Sequence, residues 1–214
     1  RLGQGKYQEA LTHYAEALKI FPFFPEIHNN IGITFLSLDR PAAAAKHFRL
    51  ALLRKPRHAV IRTNLGYALS REGKIAEALH EYRTALQSDP ENVQAHYNLS
   101  CALMDLGRLE EALGEAQETV RLSPSFAKAH YTLANLYVKL SRLPEAVERY
   151  RETLRHDPRH TDARFNLAGL LYLSGRPLEA AAEYQTLLKI NPNDRDARTK
   201  LRLILDQNHG NPAR

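Results

Sequence analysis

The sequence has a single cysteine, Cys101, one methionine and no tryptophan in 214 residues. One thiol excludes an internal disulfide framework and any cysteine-cluster metal site. No run approaches the roughly 20 apolar residues that span a bilayer, so no membrane segment is expected. GxGxxG, Walker, HExxH, GxSxG and CxxC patterns are all missing. The phosphate-cradling, zinc-protease, hydrolase and redox signatures go with them. The ten histidines invite a metal. His156 and His160 lie four apart with Pro158 between them, so they do not share a helical turn. His28, His96 and His130 recur in phase and read as packed or surface imidazoles. Cys101 reads as a small buried or groove-lining thiol. No catalytic residue, metal ligand or cofactor is expected, and the chain is read as a non-enzyme. The first residue is Arg1 and no leader pattern follows it. A fragment of a longer protein is expected, with further repeats upstream, and with the cytoplasm favoured as its compartment.

What is present is a period. Pro22, Pro56, Pro90, Pro124, Pro158 and Pro192 recur every 34 residues. Ala10, Ala44, Ala78, Ala112, Ala146 and Ala180 keep the same spacing, as do Ile31, Leu65, Leu99, Leu133, Leu167 and Leu201. Each unit reads as two helices. Ala95, Leu99, Ala102, Leu103 and Leu106 form one helical stripe, Gly107 breaks the chain, and Leu109, Ala112, Leu113, Ala116 and Val120 form another. Pro124 stops the second helix. Pro41, Pro144 and Pro177 fall in the first turn of a second helix, where a missing N–H costs little. The spacing predicts a partial unit at 1–24 with its second helix only. Five full units follow at 25–58, 59–92, 93–126, 127–160 and 161–194. A capping helix at 195–206 and a frayed tail at 207–214 complete the chain. Gly32, Gly66, Ser100, Ala134 and Ala168 share one small position facing the repeated alanine. Tyr14, Phe48, Tyr82, Tyr150 and Tyr184 are expected to fill the gaps between neighbouring units.

These residues resemble the tetratricopeptide repeat (TPR) family. Unit 59–92 carries the pattern most fully, as Asn64-Leu65-Gly66-Tyr67, then Gly73, Ala78, Tyr82, Ala85 and Pro90. Asp39 and Ser141 replace the break glycine, Ala116 replaces the aromatic, and histidines or arginines stand where the family often has Trp. The resemblance implies an all-α, right-handed superhelical solenoid of antiparallel helix pairs. Its first helices would line a concave groove. One such unit cannot bury its stripe alone, so stacking is required. Leu11, Tyr14 and Leu18 are left with an incomplete neighbour, and that uncapped end is an expected site of self-association.

Helical phase sets Asn30, Asn64, Asn98, Thr132 and Asn166 on the groove side, with Tyr97, Tyr131 and Phe165 one position earlier and Tyr67 and Asn135 about one turn on. An amide offers a donor and an acceptor, matching a peptide backbone. First helices about 10 Å apart would give one Asn per roughly three residues of an extended peptide. The row resembles the asparagine ladder in the repeats of O-linked N-acetylglucosamine transferases. The aromatics would take apolar ligand side chains. The two-carboxylate clamp of chaperone-tail adaptors is not matched, because no Lys stands at Asn29, Thr63, Tyr97, Tyr131 or Phe165. The net charge of +6 permits an acidic partner without demanding one. Glu26, Asp105, Asp162 and Asp196 mix with Arg71, Lys128 and Lys139 along the groove, so nucleic acid is not expected. The expected partner is another protein or an extended peptide. The alternatives are the substrate-presenting arm of a larger enzyme, such as a glycosyltransferase, and a structural scaffold.

Overall fold

A computed structural model describes residues 2–209, with side chains over 6–207. Twelve helices and no strand occur among the described residues. They form two compact units that divide between Leu122 and Ser123, at the end of a second helix. The first unit holds α1 (Leu2–Ile20), α2 (Pro25–Ser37), α3 (Pro41–Arg54), α4 (Ala59–Arg71), α5 (Ile75–Ser88), α6 (Val93–Asp105) and α7 (Leu109–Leu122). The second holds α8 (Ala127–Lys139), α9 (Leu143–His156), α10 (Thr161–Leu173), α11 (Pro177–Ile190) and α12 (Arg195–His209). In each unit successive helices pack on one another, and the tightest contacts lie within the hairpins α2–α3, α4–α5, α6–α7, α8–α9 and α10–α11. The architecture is all-α, a solenoid of helix pairs at the 34-residue period.

The break between the two helices of a hairpin is a left-handed turn. Gly73, Gly107 and Gly175 take φ of 78°, 73° and 73°. Asp39 and Ser141 take 55° and 59° at the same position, so the fold imposes that turn even where a side chain resists it. The turn closes with a backbone bond five residues back, as in Lys74 N–H to Leu69 O at 2.9 Å and Arg108 N–H to Leu103 O at 2.9 Å.

The aromatic ladder packs differently from the expectation that it fills gaps between units. A Cβ on Gly32 would lie 2.5 Å from the Phe48 ring, and one on Gly66 would lie 2.6 Å from the Tyr82 ring. Each ring therefore sits inside its own hairpin, pressed on the small residue of the first helix. Where Ala116 replaces the ring, Ser100 fills the small position and its hydroxyl donates to Ala112 O at 2.9 Å. The ring's outer edge still reaches onward, since Asn166 Nδ2 donates to Tyr150 Oη at 3.3 Å from the following repeat.

Histidine and arginine at the Trp position clamp the turn between repeats. Arg62, Arg164 and Arg198 donate to the carbonyls of Pro56, Pro158 and Pro192, six residues upstream. His28, His96 and His130 place Nε2 within 3.1, 2.9 and 2.9 Å of the carbonyls of Pro22, Pro90 and Pro124. This use of the side chain was not legible from its type, because Trp, His and Arg share only a ring or planar N–H donor.

Two end elements differ from their expected limits. α1 runs through Gly5, in phase with the later break positions. α12 continues to His209, beyond the expected end at 206. Its extra length meets no breaker before Gly210, and Tyr172 Oη donates to Gln207 Oε1 at 2.7 Å. Residues 210–214 of the expected tail lie outside the described residues. Leu11, Tyr14 and Leu18 are half-buried. Leu11 and Leu18 line a cavity of about 340 Å³ with Ile31, Phe35 and His47.

Candidate functional site

The residues named from helical phase separate by unit. In the first unit the amides form a short chain across helices. Asn64 Nδ2 donates to Asn29 Oδ1 at 3.1 Å, joining α4 to α2, and Asn29 Nδ2 lies 3.5 Å from Asn30 Oδ1. Asn30 itself is exposed. Asn98 is 9% exposed and its Oδ1 already accepts from Gln94 Nε2 at 2.8 Å. That bond occupies one of the two lone pairs of the Asn98 carbonyl. Tyr97 is half-buried. Tyr67 is exposed, and Arg71 both donates to its hydroxyl at 3.3 Å and lies over its ring.

In the second unit the candidates converge. Tyr131 on α8 and Phe165 and Asn166 on α10 line one cavity of about 300 Å³. Thr161, Asp162, Asp194 and Asp196 complete its wall. Each wall residue is held by a separate packing reason. Phe165 meets the buried Tyr184 ring edge-on at 5.5 Å between centroids. Tyr131 packs against Tyr150 and against His160, at 5.9 and 4.6 Å. Asn166 Nδ2 is within 3.5 Å of Tyr131 Oη as well as bonding Tyr150. Tyr150 Oη donates in turn to Asn135 Oδ1 at 2.5 Å, which places Asn135 in the supporting network. Burial pushes the Tyr150 phenol up to about 12, against the lowering effect of the Asn166 bond, so it stays a neutral donor. Asp194 caps α12 by accepting from Ala197 N–H at 2.9 Å. Asp162 and Asp196 are exposed and lie 34 residues apart, one per repeat.

The cavity is more acidic than the amide and aromatic groove expected from helical phase. Helical phase places Asp162 and Asp196 on the groove. Their union with Asp194 depends on the α11–α12 turn, which spacing alone does not fix.

A tetratricopeptide repeat model matches residues 63–125 and 131–195, more than half of the chain, and a second TPR repeat model matches 3–39. None of the curated protein sequences compared matches the chain. Among solved structures, PilF of Pseudomonas aeruginosa superposes with a TM-score of 0.81 at 19% identity, covering 96% of this chain and 92% of that one. YrrB, described as a TPR protein with an unusual peptide-binding site, gives 0.69 at 20% identity over 87% of this chain and 96% of its own. TTC0263, a TPR protein of Thermus thermophilus, gives 0.64 at 25% identity over 85% and 98%.

Proposed function

The chain belongs to the tetratricopeptide repeat family, whose members serve as protein–protein interaction modules, and from that premise we propose that it binds an extended peptide segment of a partner protein. The observation that supports this reading is the cavity where Tyr131, Phe165 and Asn166 meet Asp162 and Asp196. Its aromatic walls suit an apolar side chain, and Asn166 retains its carbonyl for a backbone N–H. The carboxylates suit a Lys or Arg on the same peptide. Asn30, Asn64 and Asn98 offer a second run of amides in the first unit, with Tyr67 and Tyr97 beside them. No step of this reading asks for a catalytic group, so the chain acts by holding its partner.

Exposed carboxylates contribute modestly to affinity, at about 0.2–1 kcal/mol per pair, and more to selectivity. The test is selection from a displayed library of random peptides on the purified chain. Selected peptides should carry a basic residue beside an apolar one. The Asp162→Asn/Asp196→Asn variant should weaken them severalfold, and less so at high salt. Peptides without basic residues, bound equally by that variant, would refute the assignment.

A further inference from the structure

We propose that His130, Glu152 and His156 form a binding site for one divalent transition-metal ion of the zinc class, clipping α8 to α9. One ligand atom from each lies within 4.8 Å of the others. Glu152 and His156 are four apart on α9, so they share a helix face and lie beside His130 on α8.

The second observation is an unpartnered nitrogen. His130 is only 3% exposed, and its Nδ1 is buried without a hydrogen-bond partner. Its Nε2 lies 2.9 Å from the Pro124 carbonyl, a bond that only an N–H can make. The network therefore assigns the proton to Nε2 and leaves a lone pair on Nδ1. A ring fixed by an N–H to a backbone carbonyl is the usual outer support of a metal-ligating histidine. The His156 ring stacks on it at 5.6 Å and 18°.

The other repeats explain why this nitrogen stands alone. The equivalent residue pairs with a partner on the second helix in each of them: Arg62 with Glu81 at 2.5 Å, His96 with Glu115 at 2.6 Å, Arg164 with Glu183 at 2.5 Å, and His28 with His47 at 3.1 Å. In unit 127–160 that partner position holds Arg149, and no bond joins it to His130 Nδ1. Glu152 and His156, one and two turns further along α9, combine with the first-helix histidine in this unit alone.

The acceptors already gather around a cation. The exposed Arg155 guanidinium lies 2.7 Å from Glu152 Oε2 and 2.8 Å from His156 Nε2. A metal ion would displace it toward solvent. Two imidazoles and a carboxylate suit zinc, with water as the fourth ligand, while copper and nickel would compete. Tetrahedral ligand atoms around zinc sit about 3.3 Å apart, so closure asks for side-chain shifts of about 1 Å.

The test is calorimetric titration of the untagged chain with zinc chloride, with cobalt chloride as a spectroscopic probe. One equivalent should bind, and cobalt should give the visible absorption of a tetrahedral site. Glu152→Gln and His156→Gln lie at partly exposed positions and should keep the fold by circular dichroism. Each should weaken zinc at least tenfold and abolish its stabilising shift in a thermal melt. Arg155→Ala should tighten zinc, and His47→Gln should leave it unchanged. Absence of binding, or zinc affinity indifferent to Glu152→Gln and His156→Gln, would overturn the proposal, the latter pointing to scattered surface histidines.

Discussion

Single residues set the tolerance of each hairpin. At Gly66 any Cβ would fall 2.6 Å from the Tyr82 ring, which is itself almost wholly buried. Gly66→Ala should therefore cost about 1–3 kcal/mol by overpacking, despite the better helix propensity of alanine. Tyr82→Leu should relieve part of that cost, so the double variant melts above the sum of the two single losses. Ser141 presents the opposite case. It holds φ of 59°, a conformation glycine adopts more readily, and Ser141→Gly should raise stability by about 0.5–1 kcal/mol in urea unfolding. His47 adds a pH effect. Burial first, then His28 and Lys46, hold its imidazole below the usual value near 6.5. The unfolded chain therefore takes up this proton before the folded chain does. Stability should fall as pH drops below about 6.5 and level off once the folded form is also protonated. His47→Gln should flatten that part of the profile.

At the scale of the helix pair, period and composition carried most of the fold. Proline, alanine and leucine ladders located the hairpins, because each marks a constraint that recurs wherever two helices stack. They could not say which partner a side chain meets. Phe48 and Tyr82 read equally well as inter-repeat fillers, and only the Gly32 and Gly66 contacts assign them to their own hairpins. The metal-class cluster was hidden for a related reason. His156 and His160 were the visible pair, yet His160 serves as an N-cap, its Nδ1 accepting from Ala163 N–H at 3.2 Å. His156 instead turns back to Glu152 and across to His130, a relation that needs the α8–α9 packing. The groove row was legible in phase, but its amides satisfy one another to a degree no sequence pattern reveals. Ala112 tests the helix-pair contact itself. It is fully buried, and its carbonyl accepts from Ser100. Ala112→Leu should force α6 and α7 apart and lower stability by about 1–3 kcal/mol in a thermal melt. An unchanged melt would show that the two helices are not in the close contact described.

At the scale of the whole chain, stability in a repeat protein is a sum of nearest-neighbour terms, so its ends unravel first. α12 is the last neighbour of α11. It buries Ala197 and Ile204 against a surface that includes Tyr184, while Arg202, standing where earlier repeats have small residues, remains exposed. A long side chain at that position would not fit the close helix contact that Gly66 makes with Tyr82. Removing residues 195–214 would uncover the α11 face and take Asp194 away from the cap it supplies. Exchange protection in α10 and α11 should then drop well before that in α8 and α9, with α2 to α5 little changed. Ile204→Ala separates packing from length. It keeps the helix and deletes one buried side chain, at an expected cost of about 2–5 kcal/mol, read as a lower urea midpoint. If truncation left the exchange of α11 untouched, α12 would contribute nothing as a cap. The acidic wall that Asp196 lends to the second-unit cavity would then rest on an element the fold does not need.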